Sequence, residues 1–138
     1  MIKAVSNKSN RQDEYPVGEY GVAKAKEVCA YHQSYPEYSM TPLVKLDALA
    51  NTLGVSKIMV KDESKRFGLN AFKVLGGSYC IGKYIAERLQ LPEEKFNFAT
   101  LVSDEVKAEL GELTFVTATD GNHGRGVAWT ANRLGHKS

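Results

Sequence analysis

The apolar residues of this chain switch between strand-like runs and helical spacing, and this alternation limits the possible folds more than any other feature. Residues 113–118, L-T-F-V-T-A, are β-branched and aromatic, which predicts a strand. The polar turn T-D-G-N-H-G follows and leads into a helical pattern that continues to about Leu134, with Gly135 at its end. Strands that alternate with helices predict an α/β fold with parallel strand pairing.

Earlier segments of the chain show the same alternation. Residues 41–46 predict a short strand or an extended arm, and the apolar run at 56–61 predicts a buried strand. Helical spacing, or start and stop signals, predict further helices at residues 19–33, 47–53, 74–89 and 103–111. Asp47 is the expected N-cap of the second of these helices, and Gly54 its end.

Composition is typical of a globular domain and argues against two classes of partner. Of the 138 residues, 43% are hydrophobic and 25% are charged. The net charge of +2 is too small to predict binding to nucleic acid or to an anionic membrane. Cys29 and Cys80 lack metal-ligand spacing, so we expect free thiols. There is neither an apolar run of about 20 residues nor the apolar core of a signal peptide, which predicts a cytoplasmic protein.

One chemically suggestive stretch is residues 66–82, R-F-G-L-N-A-F-K-V-L-G-G-S-Y-C-I-G, in which a loop becomes a helix at Lys73. We expect Phe72, Val74 and Leu75 to enclose Lys73 in apolar surroundings. Because burial penalises the charged form of a lysine, its nucleophilic neutral form becomes more accessible and can form a Schiff base with an aldehyde. The small residues that follow would let a bulky group approach the helix closely. The alternative is an ordinary solvated lysine at the start of a helix.

The turn T-D-G-N-H-G is the second such stretch. Because it follows a predicted strand, Asp120, Asn122 and His123 are expected at the carboxyl edge of a sheet, where open α/β folds bind ligands. Asp120 is a possible general base, and Asn122 can donate a hydrogen bond to a ligand oxygen. His123 is the weakest candidate, and Asp120 and Asn122 could instead serve only to form the turn and cap the helix. The glycine spacing G-x-x-G-x-G differs from the dinucleotide fingerprint and argues against a nicotinamide site.

The segments K-D-E-S, N-A-F-K-V-L-G-G-S and T-D-G-N-H-G-R-G-V-A-W together resemble the tryptophan-synthase-β-like family, the pyridoxal-phosphate-dependent enzymes of fold type II. Within that family the sequence is most similar to the diaminopropionate ammonia-lyases. Threonine dehydratases and cysteine synthases usually have a serine in the turn where this chain has Asp120. The resemblance implies the N-terminal part of a three-layer α/β fold with a mostly parallel sheet. Residues 1–35 would form an extension with a weak helix, and residues 36–138 an incomplete cofactor-binding region.

The resemblance also implies a role for each candidate residue. Lys73 would form a Schiff base with pyridoxal 5'-phosphate, Asn122 would hydrogen-bond the phenolic oxygen of its ring, and Phe72 would line the pocket. The substrate would be 2,3-diaminopropionate, which α,β-elimination converts to pyruvate and ammonia. Lys73 would take the Cα proton of the L-isomer, and Asp120, on the opposite face, that of the D-isomer. The full-length enzyme would be a homodimer.

Two alternatives to this activity remain open. One is a threonine or serine dehydratase-like enzyme of the same family. The other is a non-catalytic fragment, because the sequence ends where the next strand of a βαβ unit is expected. The phosphate-binding glycine loop of the family and its partner for the pyridine nitrogen are expected beyond residue 138. We therefore expect these 138 residues on their own to be inactive.

Overall fold

The structure, a computed structural model, describes residues 17–119 and 121–138. Its helices and strands are, in chain order, α1 (Val22–Gln33), β1 (Leu43–Lys45), α2 (Asp47–Leu53), β2 (Met59–Lys61), α3 (Val74–Arg88), α4 (Phe98–Leu101), α5 (Asp104–Leu110) and α6 (Asn122–Arg133). Short 3-10 helices lie at Val17–Tyr20, Glu63–Gly68 and Glu93–Lys95. The described part of the chain is therefore mainly helical, with a small sheet.

The predicted helices are confirmed, and their sequences explain why they form. The apolar stripe of α3 is its buried face, on which Val74, Ile81 and Ile85 are almost inaccessible to solvent. Ser103 caps α5, because its hydroxyl accepts a hydrogen bond at 3.3 Å from the backbone N–H of Val106. These local signals suffice because the backbone hydrogen bonds of a helix are internal to it.

Some helix ends differ from the prediction by a few residues. α1 begins at Val22, after the separate 3-10 helix. Asp47 is the first helical residue of α2 and not its N-cap, which is Leu46. Gly54 ends α2 in the left-handed conformation with φ 66°, as predicted. Gly135, which follows α6, also has a positive φ, of 80°.

The sheet differs from the prediction in both direction and burial. β1 and β2 pair antiparallel, with Val44 opposite Val60, and every residue of both strands is exposed. The expectation of a buried strand at 56–61 with parallel pairing is therefore wrong for this pair. The physical reason is that, among the described residues, the sheet has no third strand and no helix packs extensively on it, so its apolar side chains stay at the surface.

Residues 113–118 do not form a strand either. They make one parallel bridge, between Thr114 and Lys137. In it the N–H of Phe115 donates to the carbonyl of Lys137, and the N–H of Lys137 to that of Leu113, both at 2.9 Å. The bridge is parallel, as the predicted pairing is, but among the described residues no further backbone hydrogen bonds of the segment extend it into a strand. β-branched residues favour a strand only when a neighbouring strand supplies hydrogen bonds along its length.

An aromatic cluster packs α1 against α3. Tyr31 of α1 stacks on Phe96, with ring centroids 4.5 Å apart and planes 5° from parallel. Its hydroxyl donates to the carbonyl of Ser78 at 2.9 Å. A Cβ on Gly82 would overlap that hydroxyl, so the bulky group admitted by this glycine is Tyr31 itself. α3 is the central element, since it packs on α1, α4 and α6.

Within residues 17–119 and 121–138, no helix combines the length and apolarity that crossing a membrane requires. Cys29 and Cys80 are free, as predicted, and both are exposed. The packing of the helices therefore involves no covalent cross-link between these two residues.

Candidate active site

The two predicted site regions meet because α3 and α6 cross near their N-terminal ends. A Cβ on Gly126 would lie 2.9 Å from the Cα of Val74, so the two helix backbones are in close contact. Val74 is the first residue of α3, and Gly126 lies in the early part of α6. Lys73, which precedes α3, and Asn122, which begins α6, are therefore at the same end of this helix pair.

Lys73 lies at this end but is not enclosed by apolar side chains. It occupies the N-cap position of α3 and is exposed. Phe72 is 61% exposed, whereas Val74 is 1% exposed and packs beneath Gly126. The predicted enclosure of Lys73 by Phe72, Val74 and Leu75 is therefore wrong within the described residues. Val74 begins the buried stripe of the helix, and the two residues before it stay outside that stripe.

A groove of 290 Å³ lies beside the start of α3. Gly76 and Gly77 form part of its lining, together with Thr117, His123 and Val127. Apart from the adjacent residues and the local backbone of α3, no atom lies within 4 Å of the position that a Cβ on Gly76 would occupy. A flat group can therefore approach the backbone of α3 closely at this point.

Asn122 is exposed and does not cap α6. The N-cap position belongs to Gly121, which makes no side-chain capping bond; its N–H donates to the hydroxyl of Thr119 at 3.4 Å. The side-chain amide of Asn122 is therefore available to a ligand. Asp120 lies outside the described residues, so its position relative to Lys73 stays a prediction.

Three other residues belong to this region, and the sequence signals for them are unequal. His123, the weakest candidate from the sequence, lines the groove. Thr117 also lines it and was not selected, although its place at the end of an apolar run is a usable signal. Arg66 anchors the loop before Lys73. Its pairing with Glu63 is local, but its contacts with Thr41 and Ser39 reach 25 and 27 positions back along the chain, where sequence patterns give no signal.

Comparison with known proteins identifies the family. A family model described as pyridoxal-phosphate dependent enzyme matches residues 35–138. The chain is similar to the diaminopropionate ammonia-lyase of Salmonella typhimurium strain LT2, with 54% identity over 112 residues, which cover 81% of this chain and 28% of that protein. It is also similar to the diaminopropionate ammonia-lyase of Escherichia coli strain K12, with 50% identity over 120 residues, which cover 86% of this chain and 29% of that protein.

Solved structures of the Escherichia coli diaminopropionate ammonia lyase have a similar fold. The apo form gives a TM-score of 0.77 at 49% identity, over 90% of this chain and 32% of that one. The complex with D-serine gives a TM-score of 0.78 at 48% identity, over 90% of this chain and 30% of that one. The complex with an aminoacrylate-PLP azomethine reaction intermediate gives a TM-score of 0.73 at 48% identity, over 90% of this chain and 29% of that one. The chain therefore spans less than a third of the length of these relatives.

Proposed function

This chain belongs to the pyridoxal-phosphate-dependent enzymes, and from that premise we propose that it carries the lysine side of a diaminopropionate ammonia-lyase active site. The observation that carries the proposal is the close contact of α3 and α6 at Val74 and Gly126, which puts Lys73 and Asn122 at the same end of this helix pair. The groove lined by Gly76, Gly77 and His123 lies along the first turns of the same two helices, although Lys73 and Asn122 are not among the residues that line it. Identity of 50% or more with two ammonia-lyases supports this activity over others of the family.

Lys73, Asn122 and Phe72 have the chemistry to bind the end of pyridoxal phosphate that carries the aldehyde and the phenolic oxygen. Lys73 is exposed, so its amine is free to hold the aldehyde carbon. The amide of Asn122 would donate to the phenolic oxygen of the ring, and the exposed ring of Phe72 would line the pocket. When bound, the cofactor supplies an electron sink that stabilises negative charge at the Cα of an amino acid.

Lys73 and Asp120 are the proposed carriers of the substrate proton. The neutral amine of Lys73 would take the Cα proton of L-2,3-diaminopropionate, and the carboxylate of Asp120 would take that of the D-isomer from the opposite face. Loss of the β-amino group and hydrolysis then give pyruvate and ammonia. The Escherichia coli relative has been solved in complex with D-serine, which supports a site that admits D-amino acids.

A serine dehydratase-like activity is the second candidate, because the same complex with D-serine favours a substrate with a β-hydroxyl group. The leaving group separates the two activities. Diaminopropionate releases an additional ammonia for each pyruvate, whereas serine releases water in its place. Measurement of pyruvate and ammonia from both substrates, at equal concentrations, therefore distinguishes them.

We further infer a cytoplasmic enzyme of amino-acid breakdown that forms a homodimer at full length. The free thiols of Cys29 and Cys80 support a reducing compartment. Release of pyruvate from an amino acid is a degradative reaction. Leu43 and Met59 on the β1–β2 ribbon are 59% and 53% exposed, which supports a protein interface there. Sedimentation of the full-length enzyme tests the dimer.

Reductive trapping tests the role of Lys73. The chain is incubated with pyridoxal phosphate, reduced with borohydride, digested and mapped by mass spectrometry. We expect label on Lys73 in preference to other lysines, and less label on it in Asn122→Ala. Lys65→Arg is a matched control that should leave the label on Lys73 unchanged. Label found mainly on Lys61, Lys65 or Lys83 would remove Lys73 from the proposed active site.

A further inference from the structure

Arg66 is buried beside the loop that leads to Lys73, with 6% of its surface exposed. Its Nε and Nη2 donate to the two carboxylate oxygens of Glu63, at 2.7 and 3.0 Å. Nη2 also donates to the hydroxyl of Thr41 at 3.0 Å, and Nη1 to the carbonyl of Ser39 at 3.1 Å. The hydroxyl of Thr41 in turn donates to Glu63 at 2.5 Å. These four residues, here called the Arg66 clamp, tie the loop to the segment before β1.

The backbone after Arg66 has a conformation that most residues avoid. Phe67 has φ 48°, Gly68 φ 71° and Asn70 φ 57°. Glycine and asparagine tolerate left-handed φ values, but a bulky residue such as phenylalanine adopts them only where its surroundings impose them. Strained residues of this kind cluster at functional sites, and this turn lies just before Lys73.

Phe67 connects the strained turn to α6. Its ring lies 4.9 Å from the ring of Trp129 on α6, and only 7% of the residue is exposed. The N–H of Leu69 closes the turn by donating to the carbonyl of Arg66 at 2.9 Å. The turn is therefore held on one side by the Arg66 clamp and on the other by the helix that begins with Asn122.

We propose that Arg66 is a positioning residue, and that the Arg66 clamp fixes the direction in which the loop presents Lys73 at the start of α3, beside α6. The inference rests on the proposed role of Lys73. A buried ion pair is a weak source of net stability, because desolvation offsets its attraction, and apolar side chains can fill the same space. A guanidinium held by several hydrogen bonds defines a geometry instead, and a reactive amine requires a defined geometry.

Arg66→Lys tests this inference because it keeps the charge but loses the planar fork that reaches three partners at once. The label on Lys73 from pyridoxal phosphate and borohydride is measured against the label on Lys95 in the same chain. We expect this ratio to fall about tenfold, the effect of losing one strong hydrogen bond. Amide hydrogen exchange at residues 69–75 should accelerate by a similar factor, while exchange at residues 104–110 of α5 stays unchanged.

Three further variants separate positioning from stability. Thr41→Val removes the hydroxyl that joins Glu63 to Arg66 and should lower the Lys73 to Lys95 ratio, whereas Thr41→Ser keeps the hydroxyl and should retain the ratio. Val106→Ala removes buried methyl groups from α5 and creates a cavity away from the Arg66 clamp. It should lower the melting temperature without changing the ratio.

A wild-type ratio in both Arg66→Lys and Thr41→Val would overturn the inference, and so would an equal fall in Val106→Ala. If Arg66→Lys does not fold, the two Thr41 variants decide the question. If the wild-type chain shows no preference for Lys73, the proposed function fails. The exchange measurement then still decides whether the Arg66 clamp orders the loop.

Discussion

At Gly126 the crossing of α3 and α6 leaves no space for a side chain. A Cβ there would lie 2.9 Å from the Cα of Val74 and 3.2 Å from its backbone nitrogen. Because backbone atoms cannot rotate away, the two helices would have to separate. We expect Gly126→Ala to lower the free energy of unfolding by about 1–3 kcal/mol, the usual cost of overpacking. Urea denaturation followed by circular dichroism measures this change.

Gly76→Ala is the matched control for that prediction. Gly76 lies in the first turn of α3, and an added Cβ would meet no atom within 4 Å apart from those of the adjacent residues and the local helix backbone. Alanine is the better helix former, so we expect a gain in stability of up to about 1 kcal/mol. Equal stability of the Gly126→Ala variant and the wild type would mean that the helix crossing is looser than described.

The residues of the site differ in how far the sequence predicts them. Lys73 and Asn122 stand at junctions between loop and helix, a local signal, and the structure has both at helix starts. The exposure of Lys73 is not predictable in the same way. Which side of the helix start faces the core depends on the contact of Val74 with Gly126, a contact between distant parts of the chain. The Arg66 clamp is missed for the same reason.

At the scale of whole elements, an ionic network joins α1 to α3. The carboxylate of Glu27 on α1 accepts hydrogen bonds from Lys24 at 2.5 Å and from Tyr79 at 2.7 Å. It also pairs with Lys83 of α3 at 3.1 Å. The hydrogen bond from Lys24, followed by that from Tyr79, lowers the pKa of Glu27 to about 2. The charged form of Glu27 is therefore the one that links the two helices.

We expect Glu27→Gln to remove a pH-dependent part of the stability. The pKa of Glu27 in the folded protein lies below its ordinary value of 4.5. Its contribution is therefore fully present above pH 4.5 and is lost as the pH falls towards about 2. The melting temperature of the variant should lie below that of the wild type at neutral pH, and the difference should shrink across this window. Thermal melts at a series of pH values measure it.

The exposed Glu94 provides the control for this pH series. Glu94→Gln should give the melting temperature of the wild type throughout. A difference between Glu27→Gln and the wild type that stays constant from neutral pH to about pH 2 would contradict the assigned pKa of Glu27.

Helices and strands differ in how well the sequence predicts them, and the reason is where their hydrogen bonds lie. The pattern of α3 contains all the information that the helix needs, since each bond joins residues of the same helix. The pattern at residues 113–118 is equally strand-like, but the partners of a strand lie elsewhere in the chain. In the described ranges this segment pairs only through the bridge to Lys137. Its composition therefore predicts a strand that the segment does not form.

At the scale of the whole molecule, the α/β class is supported by the relatives more than by the sheet itself. The described part of the chain has a small antiparallel ribbon of β1 and β2, yet it superimposes on the Escherichia coli ammonia lyase with TM-scores of 0.73 to 0.78. The sequence predicts this class through the alternation of its elements. It does not predict the strand pairing, which requires neighbours that alternation alone does not specify.

A chimera tests the activity at this scale. Residues 1–138 replace the aligned segment of the Escherichia coli relative, which this chain matches at 50% identity. We expect the chimera to release pyruvate from 2,3-diaminopropionate, and the 138-residue chain alone to release none. The proposed contacts hold only one side of the cofactor, and a phosphate dianion needs several donors. Lys73→Ala in the chimera is the control. Pyruvate from the chain alone would contradict the expectation.

Asp120→Asn in the same chimera tests the proposed division of labour between two bases. The substitution keeps the size and hydrogen-bonding capacity of the side chain but removes its basic carboxylate. We expect kcat for the D-isomer to fall by about 10² or more, the usual contribution of a positioned general base. The kcat for the L-isomer should fall less, because Lys73 is the proposed base on that face. A role in binding the distal amine would instead raise KM for both isomers. Equal losses of kcat on the two isomers would leave Lys73 as the only proposed base.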